Sequence, residues 1–76
     1  MKAIITNRLE KPNKEGSRIT KVQIIAPKSN ISEKVNNYID NRLRTKYLIR
    51  VLTFYVEIYD KNGKLKDSWE YKPTYR

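Results

Sequence analysis

The stretch from Tyr47 to Tyr71 limits what this chain can fold into more than any other part of it. Two runs crowded with β-branched and aromatic residues, Tyr47 to Tyr59 and Leu65 to Tyr71, flank Asp60-Lys-Asn-Gly-Lys64. Asn62-Gly63 between such runs predicts a β-hairpin closed by a type I′ turn, which takes φ > 0 at both central residues. With Asn62-Gly63 as a two-residue loop, Lys61 faces Lys64, and the pairs run back as Tyr59–Lys66, Glu57–Ser68, Val56–Trp69, Tyr55–Glu70 and Phe54–Tyr71; a four-residue loop keeps the same faces. Side chains alternate between faces along a strand. One face therefore carries Leu48, Leu52, Phe54, Val56, Ile58, Trp69 and Tyr71. The other carries Tyr47, Ile49, Val51, Thr53, Tyr55, Glu57, Tyr59, Lys66, Ser68, Glu70 and Lys72. Arg50 and Asp67 are misfits on the apolar side and belong near the sheet margin, where a charged head reaches water.

Upstream, Lys2 to Leu9 reads as a first strand, and Glu10 to Gly16 as a polar loop with Pro12 and Gly16 as breakers. Residues 17–26 read as a second strand. Ile19 falls on one face of it and Val22, Ile24 and Ala26 on the other, so a bulge near Thr20–Lys21 is expected. Pro27 ends this strand. Asn30 followed by Glu33 resembles a capping box, with Ser32 as the alternative cap. Ile31, Val35, Tyr38, Ile39 and Leu43 form one stripe at a 3.6 period, which predicts a helix over about 31–45. Strands over about 2–9, 17–26, 47–59 and 64–71 around this helix give a ββαββ order. The expected fold is α+β, a two-layer sandwich with one helix packed on an antiparallel four-stranded sheet over Leu52, Phe54, Val56 and Trp69. The 76 residues make a single domain with a loose tail at 72–76.

Composition narrows the chemistry. Cysteine and histidine are both absent. This removes disulfide staples, thiolate metal sites, the commonest metal ligand and the commonest general base. No metal, cofactor or membrane partner is expected: no apolar run nears the ~18 residues of a membrane span, and the apolar stretch after Met1-Lys2 is too short for a signal peptide. A cytoplasmic protein is the expectation. Seventeen Lys and Arg against eight Asp and Glu leave a net charge of +9. Such a charge on a small surface favours an anionic partner, DNA or RNA first. The frequent Lys, Ile, Asn and Tyr also suit an AT-rich genome, which raises the lysine content by itself. In style the chain resembles small proteins of AT-rich Gram-positive bacteria, their phages and mobile elements, a resemblance that implies no site residue.

Several residues stand out as candidate contacts. Arg42, Arg44 and Lys46 cluster where the helix ends, a place that suits phosphates and that the helix dipole alone would also fill with cations. Lys61, Lys64 and Lys66 surround the second hairpin tip, and Lys11, Lys14 and Arg18 the first. Tyr55 and Tyr59 on an open sheet face offer flat surfaces for unpaired bases, although β-propensity also accounts for tyrosines there. Tyr47, Ile49, Val51 and Tyr55 make an apolar row that a protein partner or a second copy could cover. Glu57 and Glu70 can approach each other on the same face, yet with no nucleophile motif and no Gly-rich phosphate loop they read as cross-strand charge partners. The leading expectation is a small basic, non-enzymatic nucleic-acid-binding or accessory protein. The alternative is a protein-interaction module, a host-factor inhibitor or complex subunit, using the Tyr-rich face.

Overall fold

Alternating burial sets the first strand. In β1 (Lys2–Leu9), Ala3, Ile5, Asn7 and Leu9 are buried and the residues between them are not. The computed structural model describes residues 1–44 and 49–74 of the chain. It contains β1, β2 (Ile19–Ile25), α1 (Ile31–Arg44), β3 (Val51–Tyr59) and β4 (Leu65–Tyr71), in the expected ββαββ order. The strands form one antiparallel sheet in the order β2-β1-β3-β4, so β1 and β3 are central and each hairpin contributes an edge. The apolar stripe of α1 buries Ile31, Val35 and Ile39 against Ala3, Ile5, Leu9, Phe54, Val56 and Ile58, with Tyr38 and Leu43 half-buried beside them.

The two hairpins share one turn chemistry. In the first, the Asn13 side-chain oxygen accepts the N–H groups of Glu15 (2.9 Å) and Ser17 (3.0 Å), while Gly16 N–H donates to the Asn13 carbonyl. In the second, the Asp60 carboxylate accepts from Asn62 (2.8 Å) and Lys64 (2.9 Å), and Gly63 N–H donates to the Asp60 carbonyl. Gly16 and Gly63 have φ of 79° and 81°, and no other described residue has positive φ. The expected type I′ turn is therefore corrected. Asn62 keeps negative φ, and Gly63 alone supplies the left-handed residue of a type I turn with a bulge. The side-chain cap at Asp60 stabilises this wider loop.

The hairpin register follows the expectation from Phe54↔Tyr71 to Glu57↔Ser68. It then shifts, because Tyr59 pairs with Leu65 and Ile58 with Asp67, leaving Lys66 as the extra residue where a Tyr59–Lys66 pair was expected. A second shift matters more. Arg8 pairs with Thr53 and Leu9 with Val51, so Leu52 is the inserted residue. One inserted residue reverses the pleat. Val51, expected outside, is 1% exposed in the core, and Leu52, expected under the helix, is 43% exposed. Ile49 lies before the strand and packs partly against the core. The regular strand thus begins at Val51, with Ile49 and Arg50 outside it. Thr45, Lys46, Tyr47 and Leu48, with residues 75–76, lie outside the described residues. In β2 no bulge intervenes, and Ile19 sits in plain register on the sheet face away from the helix.

The division of faces on β3 and β4 holds beyond the bulge. Trp69 pairs with Val56 on the helix side, and Tyr55 and Tyr59 are on the other. Phe54 is fully buried, meeting Tyr38 edge-on (centroids 6.5 Å, 89°) and stacking on Tyr71 (6.4 Å, 24°). Because α1 lies over β1 and β2, a groove of about 410 Å³ remains between it and β4, lined by Ile39, Leu43, Trp69 and Tyr71 with Asn36 and Asp40. The far sheet face has no element over it among the described residues.

Candidate nucleic-acid interface

Strand pairing gathers lysines that are far apart in the chain. The β1–β3 register sets Lys2 beside Tyr59, and the β1–β2 register sets it beside Ile25. The Met1 amino group donates to the Ala26 carbonyl at 2.8 Å, tying the start of β1 to the junction that leads into α1. Lys2, Lys28 from that junction, and Lys61, Lys64 and Lys66 from the second hairpin therefore meet at one end of the sheet. Two adjoining open hollows lie there. One, about 450 Å³, is lined by Met1, Lys28, Asp60, Lys61 and Lys66. The other, about 330 Å³, is lined by Lys2, Ile25, Asp60, Lys61 and Gly63.

Asp60 is the one carboxylate among the described lining residues, and the turn already occupies it. Its pKa lies below the ordinary carboxylate value: the Lys64 N–H contributes most, burial opposes it, and the Asn62 N–H and the nearby Lys66 ammonium add to the lowering. Lys66 Nζ stands 3.7 Å from it. The two hollows are thus lined by four lysines, Lys2, Lys28, Lys61 and Lys66, against a single, committed carboxylate, and Lys64 belongs to the same turn. Each exposed ammonium is a compact, mobile donor suited to a phosphate oxygen.

Tyr59 flanks this pole on the open face. Its hydroxyl donates to Glu57 Oε2 at 3.0 Å, and that bond, with partial burial and the carboxylate charge, raises the phenol pKa. Tyr55 lies between Thr6 and Glu70 in the sheet and is 36% exposed. Glu57 holds Tyr59 and Glu70 holds Lys72 at 3.8 Å, so each carboxylate has its own partner on this face.

The structure splits the other expected contacts away. Arg42 and Arg44 end α1 beside the start of β3, at the far end of a molecule 35 Å long from the Lys61 turn. Arg44 pairs with Asp40 at 3.3 Å, and Arg42 is half-buried. Lys11, Lys14 and Arg18 share that far end with the first hairpin tip. Lys46 lies outside the described residues. Lys2 and Lys28 were missed from sequence, and the signal that could have found them is the strand order. The proposed partner row also changes: Tyr47 lies outside the described residues, Val51 is in the core and Ile49 packs on it, leaving Tyr55. The most exposed apolar side chains of the open face are instead Ile25 (74%) and Ile19 (56%), both on β2.

No protein-family model matches this chain, and neither does any curated protein or solved structure. Among the described residues no helix is long and apolar enough to cross a membrane, and no three acidic side chains come together as a set that could hold a metal ion.

Proposed function

We propose that this chain binds nucleic acid, without a chemical step, by holding backbone phosphates at the pole formed by Lys2, Lys28, Lys61, Lys64 and Lys66. The observation that carries the proposal is the convergence of Lys2, Lys28, Lys61 and Lys66 around two hollows whose only described carboxylate is consumed by the turn that also holds Lys64. Tyr59 stands at the edge of the pole, where the face of its ring can stack an unpaired base next to a held phosphate. Tyr55 extends the same surface. A cytoplasmic setting, as in a phage or mobile-element protein, suits such a partner.

Fluorescence anisotropy with single- and double-stranded DNA and RNA probes tests this. Affinity should fall linearly on a log–log plot against salt, because each neutralised phosphate releases counterions. Removing Lys28 and Lys61 together should reduce the slope by roughly 0.7–0.9 per lysine that contacts a phosphate. Replacing Lys14 and Arg18 at the opposite end should change it less. Absence of binding to every probe at low salt, or a slope unmoved by Lys28→Ala with Lys61→Ala, would defeat the proposal.

A further inference from the structure

The two edges of the sheet are not equally protected. Edge β4 carries a bulge at Lys66 and the charges Lys66, Asp67 and Glu70, devices that discourage another strand from pairing. Edge β2 has no register shift and one charge, Lys21, and it exposes Ile19 and Ile25. Its hydrogen-bonding phase follows from the hairpin. Leu9 N–H donates to the Arg18 carbonyl and Ala26 N–H to the Met1 carbonyl, so the even-numbered residues of β2 direct their backbone groups toward β1. In an antiparallel ladder the alternate residues point the other way. Lys21, Gln23 and Ile25 therefore present their N–H and C=O groups to the free edge, while the Ser17 hydroxyl accepts the Ile19 N–H (3.1 Å) and donates to the Ile19 carbonyl (2.8 Å).

This edge is complementary to itself. Rotating one copy about a two-fold axis through Val22 sets Ile19 opposite Ile25 of the second copy and Lys21 opposite Gln23 of the second copy. Lys21 and Gln23 of the two copies then exchange backbone hydrogen bonds directly, the Ile19–Ile25 pairs do so as the Ser17 hydroxyl yields the Ile19 groups, and the Val22 pair falls at a non-hydrogen-bonded position. The two neighbouring registers are worse. Centring on Lys21 opposes like charges, and centring on Gln23 sets Lys21 against isoleucine. We infer that β2 is a homodimer edge, joining two copies into one continuous eight-stranded sheet through Ile19–Ile25 contacts around Val22. The interface is isologous, as a two-fold requires. It stands independently of phosphate binding.

Sedimentation velocity from about 10 µM to about 500 µM, a range suited to a small strand-pair interface, should show a monomer–dimer equilibrium. The dimer should strengthen with salt, since both copies carry +9 and the two Lys21 side chains lie diagonally across the axis. Phosphate binding moves oppositely with salt, so the two proposals fail separately. Gln23→Pro removes only an outward N–H, which an edge strand tolerates, and should weaken association about tenfold or more with an unchanged circular dichroism spectrum. The chain has no cysteine of its own. Val22→Cys should cross-link to its own mate under mild oxidation, because non-hydrogen-bonded pairs lie about 4.5 Å apart at Cα, within disulfide reach. Ile19→Cys, which faces Ile25, should not. A monomer at every concentration, or equal cross-linking at positions 19 and 22, would overturn the inference and leave the edge for a strand of some other chain.

Discussion

Asn13 and Asp60 hold equivalent positions in the two hairpin turns, and what separates them is one charge. Asn13 shows that an amide oxygen accepts the two N–H groups as well as a carboxylate does. Asp60→Asn should therefore fold with the same turn. It removes the partner of Lys66 and adds one net charge to the lysine pole, so affinity for nucleic acid should rise. Because the folded pKa of Asp60 lies below its ordinary value of 3.8, its charge adds stability at pH values above that figure. That contribution disappears as pH falls through the lowered folded value. The melting temperature of the natural chain should exceed that of Asp60→Asn by more at about pH 7 than at about pH 2. An equal gap at both would refute the assignment. Asn7 makes a second case. It is 2% exposed, its Nδ2 donates to the Tyr38 hydroxyl at 2.6 Å, and its Oδ1 has no partner among the described residues. Tyr38→Phe strands the whole amide and should cost about 1–3 kcal/mol in urea unfolding. Asn7→Val removes the group that needs satisfying, so it should be neutral or stabilising and should shrink the cost of Tyr38→Phe in the double variant.

At the level of elements, the bulge at Leu52 decides which residues β3 commits to the core. Val51→Ala should cost about 2 kcal/mol, since it empties space in a packed interior. Leu52→Ala, at a half-open position, should stay within about 0.5–1 kcal/mol. Strict alternation along the strand predicts the reverse order, so a chemical-denaturation comparison of the two variants tests the bulge directly. The contrast also shows where sequence was informative. The pairing of Val56 with Trp69 was legible because Gly63 pins the turn and only one phase places apolar residues together. The α1 stripe was legible for the same reason: Ile31, Val35 and Ile39 have polar neighbours at every other phase. The run from Leu48 to Leu52 is apolar in both phases apart from Arg50. Nothing in it marks the extra residue, and the partner row built on Ile49 and Val51 inherited that ambiguity. In β2 the two phases are also mixed, and the exposed Ile19 was read as a sign of a bulge when it is an open-face residue.

For the whole molecule, the balance of charge matters more than any pair. The lysine pole was illegible because Lys2 and Lys28 approach Lys61 only through the order β2-β1-β3-β4, which no local pattern encodes. The ion pairs Arg44–Asp40, Lys66–Asp60 and Lys72–Glu70 are 3.3–3.8 Å long, and each has a well-exposed cation, so each contributes little. Against them stands a net charge of +9. A chain of this size has a total stability of about 4–11 kcal/mol, at roughly 0.05–0.15 kcal/mol per residue, so uncompensated repulsion is a sizeable fraction of it. Raising salt from about 20 mM to about 300 mM shortens the screening length from roughly 20 Å to under 10 Å. That is less than the separation of the two basic ends. The melting temperature should therefore rise over this range, measured at a concentration low enough to keep the chain monomeric. Adding a nucleic-acid strand at the lower salt should raise it as well, through binding to the folded state alone, and that increment should fade as salt approaches the upper value. A melting temperature that falls with salt in the absence of nucleic acid would mean that the exposed ion pairs outweigh the repulsion, and the free lysine pole would then be less positive than its residues imply.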